Sequence, residues 1–386
     1  MRAEERTRGL LRSPRLVRDV LLDGRYDFVY DQMPMSTREM STKKRLNLLR
    51  SGANLIWRRA RAWSWPLHMQ IELTNYCNLR CPVCPTGIRL VRRAPTAIDP
   101  HLVRRLMAEV GPYLLTASLW AWGEPLLHPR MGEVLQAAQG YPVAVLLSTN
   151  GQNLADDRLI DALLSYPPTY LIVAIDGLTD ETNSKYRRGA KLAPILAGVR
   201  RIAELKRQQG LRLPFLHMRF IVMKHNQHEV PQLEAFARDT GFDLLTIRAL
   251  SIIDAPEGQH RELVPDLEQF AAYEYVGDER LRRHDYVCME PFWFPAVFAD
   301  GTVAACEQDY NAQEPLGTLS DDLSFADVWF SGRAARIRRL IRDNTDSLSF
   351  CRNCPYADRP TTDVSIEAFH LNPETERVRV YPGEVT

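Results

Sequence analysis

Between about residues 67 and 250 the chain alternates short apolar runs with longer helical patterns, and this alternation narrows most sharply what it can fold into. Strands joined through helices run parallel, because a crossover of helical length returns the chain to the same edge direction of a sheet. The strand candidates are 68–74, 115–121, 143–149, 170–175, 215–223 and 244–250, with helical patterns at about 99–110, 130–139, 156–164, 191–209 and 229–240. At 386 residues the chain exceeds the usual single-domain size. A core of roughly 200 residues with smaller attached units is therefore expected.

The first strand candidate feeds a loop holding Cys77, Cys81 and Cys84 with spacing C-x3-C-x2-C. Three thiolates cannot complete the four iron sites of a cubane [4Fe–4S] cluster, so one iron would stay open to a ligand. The loop lies at the C-terminal end of a strand, where parallel α/β barrels place their catalytic groups. Structural thiols or part of a zinc site form the plainer alternative, although zinc motifs usually close to four ligands with a second C-x2-C pair. The spacing resembles that of the radical S-adenosylmethionine (SAM) superfamily. That resemblance implies that SAM chelates the open iron and is cleaved to a 5′-deoxyadenosyl radical that abstracts hydrogen. It also implies an α/β fold, a partial (β/α)6 TIM-type barrel, which the six strand candidates match. Val83 stands before the third cysteine, where the family often has an aromatic residue.

Trp122-Gly123-Glu124-Pro125, after the second strand candidate, resembles the family's Gly-Gly-Glu-Pro motif with Trp122 in place of the first glycine. By that resemblance Gly123, Glu124 and Pro125 bind SAM, with Glu124 accepting from its ammonium. A turn before a helix is the structural alternative. Ser148 and Asn150 close the third strand and Asp176 the fourth, at family positions lining the SAM site; Ala174 replaces a frequent serine. Arg187 would pair with the SAM carboxylate, which a guanidinium suits through its bidentate geometry. Asn150-Gly151 and Asp176-Gly177 are also ordinary turn formers.

The other four cysteines, Cys288, Cys306, Cys351 and Cys354, follow a C-x17-C-x44-C-x2-C spacing. Four thiolates can saturate a second cubane or close a zinc site. Ala299-Asp300-Gly301 leading to Cys306 resembles the twitch/SPASM auxiliary-cluster domains appended to radical SAM barrels, and the cysteine number matches the shorter, single-cluster twitch form. The cofactors implied are two [4Fe–4S] clusters and SAM. Glu307 and Asp309, beside Cys306, are candidate catalytic bases: deprotonation makes an alcohol radical a strong reductant, and a neighbouring cluster could accept its electron. Both acids could equally solvate a hairpin.

Charge is nearly balanced, 49 Lys and Arg against 48 Asp and Glu, and offers no case for a nucleic-acid partner. Residues 1–66 are nonetheless basic, with 15 Lys or Arg against 7 Asp or Glu. Within them, residues 41–66 hold seven basic residues and Trp57, Trp63 and Trp65. A helix with apolar residues 46, 49, 53, 56, 57 and 60 on one face would either cover the barrel or meet an anionic membrane surface. No apolar run reaches a membrane-spanning length. The protein is expected in the cytoplasm, with peripheral membrane contact open to it through this arm.

The expected division is 1–66 a basic N-terminal helical arm, 67–255 the radical SAM partial barrel, 256–287 a linker or helical stretch, 288–360 the small C-terminal auxiliary-cluster domain, and 361–386 a tail. The function expected is that of a radical SAM oxidoreductase removing two electrons from a sugar- or cyclitol-like alcohol, supplied with electrons by flavodoxin or ferredoxin. Peptide maturation is the second enzyme reading. Such relatives often carry a winged-helix peptide-binding domain before the barrel, and residues 1–66 show no clear three-strand pattern. A lipid or lipid-linked substrate is a third reading, and a zinc-stabilised binding protein the non-enzymatic one.

Overall fold

The structure, a computed structural model, describes residues 9–252, 260–277, 279–281, 286–352, 354–359 and 364–380. An N-terminal hairpin, β1 (Tyr26–Tyr30) and β2 (Met33–Thr37), precedes six parallel strands: β3 (His68–Ile71), β4 (Thr116–Ser118), β5 (Ala144–Thr149), β6 (Tyr170–Ala174), β7 (Phe215–Val222) and β8 (Leu244–Ala249). Each of the six lies inside its expected segment. Helices Pro100–Val110, Met131–Ala137, Asp157–Ser165, Leu192–Gln209 and Leu233–Thr240 occupy the expected crossovers. Their boundaries follow local chemistry. Asp99 caps His101 N ahead of Pro100, Asp156 caps Arg158 N, and Gly210 ends the longest crossover at φ 66°. The helix Asp180–Tyr186, capped by Thr179, was not anticipated. It is polar along most of its length and shows no apolar period.

Strand residues alternate between two cores, as a period of two requires. Val145, Leu147, Leu171, Val173, Leu216 and Met218 meet the crossover helices. Leu146, Tyr170, Ile172, Phe215 and Leu244 face the other way and pack with Phe28, Met33, Met35 and Leu48 from the N-terminal segment. The hairpin and the helix Thr42–Trp57 thus fill the inner face of the barrel. Residues 1–66 are therefore not only a helical arm. The helix also buries a different face from the one expected. Lys44, Leu48, Ser51 and Leu55 are covered, whereas Leu46 and Trp57 are exposed, and Arg58, left-handed at φ 44°, ends the helix before residue 60. Trp57 packs edge-on against the exposed Trp63, over which Arg59 lies.

Beyond the barrel, the short ladder β9 (Tyr275–Val276) and β10 (Glu279–Arg280) occupies part of the expected linker, together with 3-10 turns at Arg261–Leu263 and Glu268–Phe270. Residues 256–259, 278 and 282–285 of that stretch lie outside the described residues. Strands β11 (Ala296–Val297), β12 (Thr302–Ala304) and β13 (Gly317–Thr318) then extend the barrel sheet itself, with β11 parallel to β3. The second cysteine unit is thereby continuous with the barrel.

The expected tail is structured within its described part. Strand β14 (Ser365–His370) pairs antiparallel with β8, giving a ten-stranded sheet, and β15 (Val378–Val380) pairs parallel with β2 as the third strand of the hairpin sheet. Its polar, short strands gave no local signal because their pairing partners lie far away in sequence.

Candidate active site

The cysteine loop is braced from both sides. Glu72, just past β3, forms a bidentate pair with Arg93, both contacts at 2.7 Å, and also accepts from Ala299 N. Arg93 Nε donates to Tyr310 O at 2.8 Å. One buried ion pair therefore joins β3, the segment after the cysteines and the second unit. On the other side, Gly123 lies so close to the segment after β3 that a Cβ would fall 1.9 Å from the Thr74 carbonyl oxygen, and Glu124 N donates to Tyr76 O. Only glycine permits that approach.

Cys77, Cys81 and Cys84 line a cavity of about 340 Å³ at the C-terminal ends of the strands. Gly123, Glu124, Ser148, Asn150 and Arg187 share its wall. Asn150 Nδ2 donates to Asn78 Oδ1 at 2.7 Å and lies 3.6 Å from Cys77 Sγ. The Glu124 carboxylate has internal duties: Oε1 accepts from Leu126 N and Thr149 Oγ1, and Oε2 from Asn150 N at 2.8 Å. Burial raises its pKa, while these hydrogen bonds pull the other way. Glu124 thus locks the end of β5 to its own loop.

Two expected contact residues stand behind the wall. Pro125 begins a buried 3-10 turn. Asp176 is fully buried; its Oδ2 accepts from Arg187 Nε at 2.5 Å and its Oδ1 from Ile221 N. Asp176 therefore aims Arg187. Burial disfavours the guanidinium charge, but Asp176 and Cys81 more than offset it.

Burial pushes the Cys77 thiol up to about 11 and Cys81 to about 12. Such thiols are protonated at neutral pH unless a metal centre stabilises the thiolates, and a triple-thiolate set facing a roomy cavity suits an iron–sulfur cluster with an open position. In the second set burial raises Cys288, Cys306, Cys351 and Cys354, and Cys288 and Cys306 are each pushed further by Cys354. Cys288 is thus coupled to Cys351 and Cys354, and Cys306 to Cys288 and Cys354, with Cys306 buried and the other three half-buried.

The candidate bases separate. Glu307 lines the cavity, and its carboxylate is bonded by the Tyr356 hydroxyl. Asp309 instead faces its own turn, where its oxygens accept from Gln313 N at 2.7 Å and Glu314 N at 2.9 Å. Burial raises its carboxyl to about 6.

Sequence reasoning missed the rest of the wall. Trp122, the departure from the glycine motif, donates from Nε1 to Glu307 O at 2.7 Å and thereby joins the Gly123–Glu124 loop to the second unit. A further space of about 280 Å³ continues the cavity toward the N-terminal hairpin. The two spaces share Gln70, Trp120, Arg219, Arg248, Glu307, Tyr356 and Arg359. Tyr30 and Asp31, at the hairpin tip, line the second space. Tyr30 contacts Ser118 Oγ and stacks on His68, while Asp31 pairs with Arg219 and, at 2.8 Å, with Arg248. A signal was available: Arg219 and Arg248 interrupt the apolar strands FLHMRFIV and LLTIRA, and a charge in a buried strand needs a partner.

Two family models match the chain: the radical SAM superfamily over residues 71–235 and an iron–sulfur cluster-binding domain, SPASM, over residues 288–355. The second match removes the zinc reading of the four-cysteine set. The tungsten-containing aldehyde ferredoxin oxidoreductase cofactor-modifying protein of Pyrococcus furiosus is 26% identical over 188 residues, 47% of this chain and 51% of that protein. The chain thus spans about half the length of that curated relative. PqqA peptide cyclase of Xanthomonas campestris pv. campestris is 24% identical over 315 residues, 75% of this chain and 79% of that protein. Among solved structures, Streptococcus suis SuiB superposes with a TM-score of 0.56 at 15% identity, covering 76% of this chain and 72% of that one, which shows a shared fold.

Proposed function

Because the chain is a radical SAM enzyme with a SPASM iron–sulfur cluster-binding domain, we propose that it oxidises by two electrons a substrate alcohol held between its two cysteine sets. The observation that carries this reading is the position of Glu307: it follows Cys306 of the second set and lines the cavity that also contains Cys77, Cys81 and Cys84. When bound, the first cluster with SAM supplies hydrogen-atom abstraction, and the second supplies an acceptor for one electron.

Cys77, Cys81 and Cys84 would hold the first cluster, and Cys288, Cys306, Cys351 and Cys354 the second. Arg187, aimed by Asp176, offers its outer nitrogens to the SAM carboxylate. Gly123, Ser148 and Asn150 shape the wall on that side. Glu307 accepts the alcohol proton, with the Tyr356 hydroxyl orienting its carboxylate. Converting the alcohol to a ketone would thus release one hydrogen atom from carbon, one electron, and one proton that Glu307 would take. With the larger space given to the first cluster and SAM, the adjoining space of about 280 Å³ is left for a sugar- or cyclitol-sized molecule.

The test uses the reconstituted enzyme and a substrate deuterated at the attacked carbon. One 5′-deoxyadenosine should form per ketone, carrying the deuterium once, and Glu307→Gln should keep deuterium transfer while slowing ketone formation by roughly 10²-fold or more. A redox-neutral product with deuterium returned to it would remove the oxidation reading. Similarity to a PqqA peptide cyclase over three quarters of the chain favours a second reading, modification of a peptide side chain entering the same cavity.

A further inference from the structure

Arg359 lies where the two halves of the cavity meet and is only 6% exposed. Its guanidinium packs over the Tyr356 ring, 4.6 Å from the centroid. Among the described residues it makes no carboxylate ion pair, its charge acts on Cys354 of the second set and on the Tyr356 hydroxyl, and its Nε is buried without a hydrogen-bond acceptor. The neighbouring carboxylates are already engaged. Asp31 is shared between Arg219 and Arg248, and it also accepts from Ser365 Oγ at 2.7 Å. Glu307 is bonded by Tyr356. Glu290, the remaining acid of the wall, has an interaction of its own. Arg219 Nε is likewise buried without an acceptor.

A buried N–H without an acceptor is costly, and an oxyanion that takes two parallel N–H bonds from the guanidinium relieves that cost best. Resting on the oxidation reading above, we propose that the substrate carries a carboxylate or phosphate group that docks on Arg359, with Arg219 adding positive potential beside it. The anion then fixes which carbon faces the cysteine loop, because Arg359 and the Tyr356–Glu307 pair approach the same cavity from one segment of the wall. The substrate class is then a hydroxylated acid or a phosphorylated sugar or polyol.

Isothermal titration of the reconstituted full chain, saturated with SAM, provides the test. The probes are glycerol 2-phosphate and glutarate, with glycerol as the neutral control. One of the two anions should bind saturably, and which one does so assigns phosphate or carboxylate chemistry. Arg359→Gln should weaken that binding at least tenfold, and Arg359→Lys should recover part of it. Iron content and SAM binding read on the same samples show whether each variant is folded, with Arg359→Lys carrying the comparison should Arg359→Gln lose iron. Anions binding no better than glycerol, or equally well to both variants and the native protein, would overturn the proposal. The titration needs no turnover, so a failure of SAM cleavage or of ketone formation bears on the oxidation reading alone.

Discussion

Asp31 illustrates how one residue can organise a cavity floor. It and Gln32 form the two-residue loop of the β1–β2 hairpin, with φ values of 51° and 61°, a conformation that usually selects asparagine and glycine. The strain is held by partners from three strands: Arg219 on β7, Arg248 on β8 and Ser365 on β14. Burial raises the Asp31 carboxyl, but the two arginines overcome this and hold it well below the usual carboxylate range; the nearby His217 is kept neutral by its own burial. A depressed native pKa gives stability that is complete above the unfolded value, about 4, and is lost as pH falls toward the native one. Asp31→Asn should therefore cost about 3 kcal/mol near neutrality, from leaving Arg219 and Arg248 without their shared anion. In denaturant titrations the gap between native and variant proteins should narrow steadily below about pH 4. A gap independent of pH would show that the carboxylate charge is not what the arginines use. Sequence alone located the cysteines and Arg187 but not Asp31, whose partners are set by register between strands far apart in the chain.

At the level of elements, apolar periodicity disclosed whatever was buried on both faces. Strand β6, YLIVA, is covered throughout and was plain in the sequence. Strands β14 and β15 were not, since Ser365–His370 is largely uncovered and only Val378 and Val380 of the final strand turn inward. Their role is supplied by edges elsewhere: β14 covers the open edge of β8, and β15 that of β2. Truncation after residue 363 should expose both edges and release Val364, Val378 and Val380, each worth roughly 1.5 kcal/mol or more. Thermal unfolding should occur at clearly lower temperature, and size-exclusion chromatography should show association through the uncovered strands. An unchanged melting temperature would reduce these strands to decoration. The helix Thr42–Trp57 yields a related lesson. Its buried stripe contains Lys44, Asn47, Ser51 and Asn54, polar residues that a search for apolar periodicity passes over.

Across the whole molecule, the division of seven cysteines into three and four was legible, whereas the union of the two units was not. That union runs through the Glu72–Arg93 pair, the Trp122 indole and the pairing of β11 with β3, none of which has a local sequence signature. Anaerobically reconstituted protein should contain about eight irons, four for each cubane. Replacing Cys77, Cys81 and Cys84 together by Ala should leave about four and abolish SAM cleavage. Elemental analysis finding zinc in place of the second four irons would sink the two-cluster assignment. The pairing of β15 with β2 also bears on how the protein is made. Residue 35 leaves the ribosome long before residue 378, with which it is in register, so this sheet stays incomplete until residues 378–380 have been made. A nascent chain consequently passes through an interval in which the cysteine loop has emerged while the hairpin sheet still lacks its third strand.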